Sequence, residues 1–230
     1  MLQGVLNSID GCLVRGENFQ FCQGLFQSYN ALMRAQREYG GAGSSGDPTR
    51  PWFGASGFNG PRFLDDARTL VLNQLNPEGA DFQCVGFKEI RYLHTDREPA
   101  HPATDKRLQE YLRFLVQLFR DPAVVLLRRN HEEVLRSGWW SKMEPWQVRR
   151  RLEEFEKSCA AFAAEYPGAF HIEYSDVVDR SDRLRELFSF LGAEYDDAQI
   201  AAVLAKEHSW RTRAEPNRPG VKARPAHVSP

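Results

Sequence analysis

Arg129, Asn130 and Ser137 are the residues whose types and spacing do most to suggest chemistry, and they lie in the stretch PAVVLLRRNHEEVLRSGWW, residues 122–140. Asn130 suits the N-cap of a helix starting at His131. Glu133, three residues later, suits a capping box in which each side chain satisfies an orphan amide of the first turn. Ser137 follows the cap by seven residues, nearly two turns of an α-helix, so this spacing puts it on the Asn130 face. A guanidinium, a hydroxyl and the free amides of a helix start make an anion site. The helix dipole favours negative charge there, and arginine offers a fork matched to phosphate. The same residues admit a plainer reading, in which Arg128 and Arg129 merely end a strand and Ser137 is an ordinary helix residue. Spacing alone leaves both open.

Positioning such a site requires a strand before it. Residues 123–127 are an unbroken apolar run bounded by Asp121-Pro122 and by charge, the pattern of a strand buried on both faces in a parallel sheet. Three further strands are expected: a short one at 12–14, one at 82–92 with Val85 and Phe87 alternating against polar neighbours, and one at 169–174 ending in Tyr174. Apolar residues at helical spacing predict helices over 19–40, 61–75, 108–119, 145–166, 181–191 and 196–207, while residues 1–8 read as the back half of a helix. The helix beginning at His131 is expected to continue past Ser137 through Lys142. Residues 40–59 are rich in Gly, Ser and Pro and read as a flexible insertion, either a loop closing over substrate on the acceptor side or one whose aromatics pack on the surface.

With 230 residues, 42% hydrophobic and 27% charged, the chain can bury the core of one α/β domain, expected over 1–210 with a basic, proline-rich tail at 211–230. A formal net charge of -1 gives no general electrostatic case for nucleic acid or an anionic membrane, so any anion site must be local. No apolar run approaches the roughly 20 residues a membrane helix needs. The cysteines at 12, 22, 84 and 159 show no metal or CxxC spacing. Cys84 and Cys159 sit in apolar patterns that suit buried, reduced thiols in a cytoplasmic protein. His94 and His101 read as surface residues.

The sequence resembles the sulfotransferases that use 3′-phosphoadenosine 5′-phosphosulfate (PAPS). Four anchors carry the resemblance in order: Gly16-Glu17 after the first short strand, Gly86-Phe87-Lys88-Glu89, Arg129 with Ser137 eight residues later, and Tyr174 at a strand end. The resemblance implies that Arg129 and Ser137 hold the 3′-phosphate, that Tyr174 borders the nucleotide base, that Lys88 stabilises charge on the sulfuryl donor, and that Glu17 is the catalytic base. Arg91 is a further candidate for an anionic acceptor. In that family a strand and a Gly-rich loop of the type RSGST precede the region resembled by residues 1–18, and no such loop stands in this chain. The chain is therefore expected to be a truncated or inactive form of the fold.

The implied fold is a three-layer αβα domain with a central parallel sheet, P-loop and sulfotransferase-like, lacking its first strand and phosphate loop. The implied activity is sulfuryl transfer from PAPS to a hydroxyl or amine of a small-molecule or carbohydrate acceptor, releasing 3′-phosphoadenosine 5′-phosphate (PAP) and using no metal. Two rivals remain. One is a PAP-binding or interaction protein that has lost transfer; the other is a small-molecule kinase of related fold, disfavoured because no GxxxxGK[ST] is present.

Overall fold

The computed structural model describes residues 1–90 and 104–206. Helices and parallel strands are mixed throughout, so the chain is α/β. Strand β1 (Cys12–Arg15) pairs in parallel with β2 (Cys84–Phe87), and β3 (Val124–Arg128) pairs in parallel with β4 (Ala169–Glu173). Among the described residues these form two two-stranded sheets. The strand expected over 82–92 is shorter than its alternating pattern, and Arg91, His94, His101 and the basic tail lie outside the described residues.

Parallel partners need a long crossover, and helices supply it. The chain passes from β1 to β2 through α2 (Phe21–Tyr39), α3 (Ala42–Ser45) and α4 (Gly60–Leu75). Helix α4 starts where the sequence says it should, because the Asn59 side chain accepts from the Arg62 amide at 2.9 Å and a proline occupies the first turn. Helix α5 (Thr104–Phe119) leads into β3, and α6 (His131–Leu135) with α7 (Pro145–Glu165) joins β3 to β4. After β4 come α8 (Tyr174–Asp179), α9 (Asp182–Phe190) and α10 (Asp197–Leu204).

The alternation of β3 and β4 divides the core in two. Val124, Leu126 and Ala169 face a large cluster built from α2, α4, α5 and α7, with Phe26, Val71, Leu118 and Phe162 at its centre. Val125, Phe170 and Ile172 face a second cluster with Val5, Leu184, Leu187 and Ile200. Short α1 (Leu2–Leu6) belongs to the second cluster and also covers an edge of β1. The Asn7 side chain donates to the Val14 carbonyl at 2.9 Å and accepts from the Val14 amide at 2.7 Å. Those two groups point away from β2, and the asparagine stands in for a further strand.

Three local expectations change. The helix after β3 stops at Leu135, Ser137 takes extended backbone at φ -105 and ψ 135, and Gly138 at φ +51 starts a separate 3-10 turn over Gly138–Lys142. Residues 40–59 hold short helical turns at Ala42–Ser45 and Ala55–Gly57, tied by a Ser45–Ser56 hydroxyl contact of 2.8 Å and by Trp52 stacked on Tyr39 at 4.1 Å. This stretch packs at the C-terminal end of α2, about 27 Å along that helix from Phe21 by its rise per residue, and so away from Glu17 rather than over it. Cys84 is exposed instead of buried, because alternation turns Val85 and Phe87 to the larger cluster and Cys84 to the opposite face of β2.

Phe162, 1% exposed, and Trp146, 61% exposed, measure the difference between core and surface aromatics. Phe162→Ala is expected to lower unfolding free energy by about 3–5 kcal/mol in a urea titration, and Trp146→Ala by under about 1 kcal/mol. Equal losses would refute the assignment of the larger cluster as the core.

Candidate functional site

Each residue proposed from sequence as an anchor, apart from Ser137, sits just past the C-terminal end of a strand. Glu17 follows β1 by two residues, while Lys88, Arg129 and Tyr174 directly follow β2, β3 and β4. Parallel pairing makes this placement meaningful, since the partners in each pair emerge side by side. Tyr174 is the first residue of α8 rather than the last of β4. The Glu173 side chain and Asp176 form a capping box there, which ends the strand one residue early.

At the β1–β2 end the ladder runs one residue further, with the Lys88 amide donating to the Arg15 carbonyl at 2.9 Å. That contact swings the Lys88 ammonium to 2.8 Å from Glu17 Oε1, with both side chains partly exposed. The end of β1 is fixed from below by Arg15, whose Nε donates 2.7 Å to the Leu75 carbonyl at the close of α4. Past Glu17 the chain reverses through Phe19 and Gln20, at φ +54 and +62, before α2 begins. The Gln20 amide donates to Glu89 Oε2 at 3.0 Å, and the same carboxylate accepts from the Ile90 amide at 2.8 Å. Glu89 thus splints the two segments that carry Glu17 and Lys88. The Met1 α-ammonium feels burial first and then the Lys88 charge, and both hold its pKa below the ordinary value.

At the β3–β4 end a cleft of about 820 Å³ opens between α6 and α8. Arg129 lies across its wall with its guanidinium carbon 4.4 Å above the Tyr174 ring centroid. Its Nε meets Glu133 Oε2 at 2.8 Å. Asn130 caps α6 as its type predicts, but its side chain accepts from the Glu132 amide at 2.9 Å. Glu133 spends its carboxylate on Arg129 and not on the Asn130 amide, so the reciprocal box is absent. Arg128 is held by Glu173 at 3.0 Å and Glu156 at 3.7 Å, and His131 Nε2 meets Glu156 Oε1 at 2.8 Å.

Ser137 does not join Arg129. It lies beyond the end of α6, is not among the cleft residues, and its hydroxyl donates back to the Val134 carbonyl at 2.9 Å. The assumption of a continuing helix misplaced it. The cleft is also richer in acid than spacing suggested. Glu132, Glu133, Glu156, Glu173 and Asp179 line it, against Arg128 and Arg129. Sequence analysis missed Glu156 and His131 as partners, because Glu156 arrives from α7 and nothing near it in the chain signals that meeting.

The geometry brings together two pairs able to do chemistry. The carboxylate of Glu17 can accept a proton beside an ammonium, and Arg129 over an aromatic face can receive an anion attached to a flat ring. Among the described residues no three His, Cys, Asp or Glu side chains gather as a metal site, and no helix is long and apolar enough to cross a membrane. The chain matches no protein-family model and no curated protein.

Proposed function

We propose that this chain is a PAPS-dependent sulfotransferase domain acting on a hydroxyl or amine of a small-molecule or carbohydrate acceptor. The observation that carries the reading is the placement of Glu17, Lys88, Arg129 and Tyr174 directly after the carboxyl ends of parallel strands, the location where open α/β sheets bind ligands. On this reading both strand pairs belong to one central sheet of a three-layer αβα fold, whose central member would occupy the interval between them. The apolar alternation of β3 and β4 between two clusters supports that layering.

Arg129 and Tyr174 fit the nucleotide: the guanidinium suits the 3′-phosphate and the ring suits a stacked base. On this reading Arg129 carries the charge of the phosphate clamp, and the Ser137 hydroxyl is turned to the Val134 carbonyl. The donor supplies a sulfuryl group on an anhydride oxygen. Glu17 takes the proton of the acceptor as its oxygen or nitrogen bonds to sulfur, while the sulfur–oxygen bond to the phosphate breaks and its electron pair leaves with PAP. Lys88 gives this step its coupling. Protonation of Glu17 cancels the carboxylate that holds the ammonium at 2.8 Å, freeing Lys88 to follow the charge growing on the leaving oxygen.

A phosphate must displace Glu133 from Arg129. An exposed pair of this i,i+4 type contributes about 0.3–0.5 kcal/mol, whereas a hydrogen bond to a charged group contributes about 1.5–3 kcal/mol. The exchange favours phosphate. A second reading, a PAP-binding protein that does not transfer, draws on the acid-rich cleft and the diverted Ser137 hydroxyl.

Calorimetric titration with PAP, against 5′-AMP and ADP, tests the clamp. Arg129→Ala is expected to weaken PAP by about 2 kcal/mol or more, and Glu133→Gln to tighten it about twofold by releasing the guanidinium. PAP affinity indifferent to both changes removes the nucleotide site. Incubation with PAPS and a panel of phenol, alcohol and sugar acceptors tests transfer. Glu17→Gln is expected to keep PAP affinity while cutting turnover by about a hundredfold or more. Transfer undiminished in that variant excludes Glu17 as base, and PAP binding without transfer by a chain that carries the phosphosulfate loop selects the second reading.

A further inference from the structure

The opposite ends of β1 and β2 carry a separate arrangement. Cys12 and Cys84 are direct partners in the parallel ladder, so their side chains leave the same face of adjacent strands. Both are free thiols; Cys84 is exposed and Cys12 half-buried. Neighbouring strands lie about 4.7–4.9 Å apart, and disulfides span Cα separations of about 4.4–6.8 Å. The Cα separation thus falls within the disulfide range, and joining the sulfurs asks the two Cβ atoms to draw slightly together, to about 3.5–4.5 Å.

We propose that Cys12 and Cys84 form a reversible thiol–disulfide exchange site for low-molecular-weight disulfides, with Cys84 as attacking and Cys12 as resolving thiol. The Cys84 thiolate attacks one sulfur of the small disulfide, whose sulfur–sulfur bond breaks and releases a thiolate. Cys12 then gives up its proton and attacks the Cys84 sulfur of the mixed disulfide, expelling the second small thiolate. Two protein thiols are oxidised, one small disulfide is reduced to two thiols, and the protons pass to the released thiolates.

The assignment of roles follows exposure and electrostatics. A thiolate at Cys84 is stabilised by the Cys12 thiol, which holds the Cys84 pKa down to about 7 and pushes its own well above the ordinary range. The other cysteines provide an internal contrast. Cys22 is 0% exposed and Cys159 3%, and burial pushes each thiol up to about 12. A disulfide at the short end of the Cα range and at the surface is readily reduced, which makes the exchange reversible.

The test is incubation of the full chain with oxidised glutathione, followed by peptide mapping without reductant. The native protein is expected to yield a Cys12–Cys84 disulfide with Cys22 and Cys159 unmodified, and added dithiothreitol should restore both thiols. Cys12→Ser is expected to accumulate glutathione on Cys84, and Cys84→Ser to react at least about tenfold more slowly. A lasting glutathione adduct on the native protein with no internal disulfide overturns the resolving role of Cys12. Equal rates in Cys84→Ser and native protein overturn the attacking role of Cys84. The native measurement decides the matter even where a serine variant does not fold.

Discussion

Parallel strand pairing is the constraint on which the rest of this molecule depends. Two strands running the same way cannot be joined by a tight turn, so each pair obliges the chain to build helices between its members. Of those helices α2, α4 and α7 furnish part of the larger core cluster, which α5 completes. The same constraint places residues far apart in sequence at one end of a sheet. Glu17 and Lys88 meet because Cys12 is in register with Cys84, and Arg128 meets Glu173 because Val124 is in register with Ala169. A slip of one residue in either register would turn the side chains of that strand to the opposite face and dissolve both contacts.

Electrostatics at the two ends differ in kind. The Glu17–Lys88 pair is splinted through the backbone amides that Glu89 receives, so its geometry is fixed by main chain on both sides. Arg129 is set by weaker forces, one exposed carboxylate contributing about 0.3–0.5 kcal/mol and one ring face contributing about 0.5–1 kcal/mol. A guanidinium so held is aimed yet available. Its neighbour Arg128, shared between Glu173 and Glu156, has more carboxylate around it and less reason to turn.

Local chemistry made much of this fold legible from sequence, and long-range pairing hid the remainder. Asn130 reads as a helix cap and acts as one, and the apolar run before Arg128 is a strand. Glu17, Lys88, Arg129 and Tyr174 follow strand ends in the order that the sequence has them, and only strand register shows which of them touch. Ser137 was misplaced because a helix of five residues cannot be told from a longer one by its cap. The break comes at Ser137 itself, whose extended backbone ends the periodicity that the spacing assumed. Cys84 differs for another reason: its apolar surroundings report a strand, and the pleat turns Cys84 to the face opposite Val85 and Phe87. The Gly-rich stretch after α2 holds turns through Ser45 and Trp52, contacts that composition does not encode.

The reversal at Phe19 and Gln20 has an architectural meaning. Left-handed backbone costs residues other than glycine about 1–2 kcal/mol each, and here two occur in succession between the Glu17 segment and α2. Glycine would ease that cost but would let the chain leave β1 in many directions. Bulky side chains at both positions narrow the exit to one path, with Glu89 receiving the Gln20 amide at its end. The axis of the longest crossover helix before β2 is thereby set at its first residue, and the molecule gives up local stability there in return for a fixed bearing.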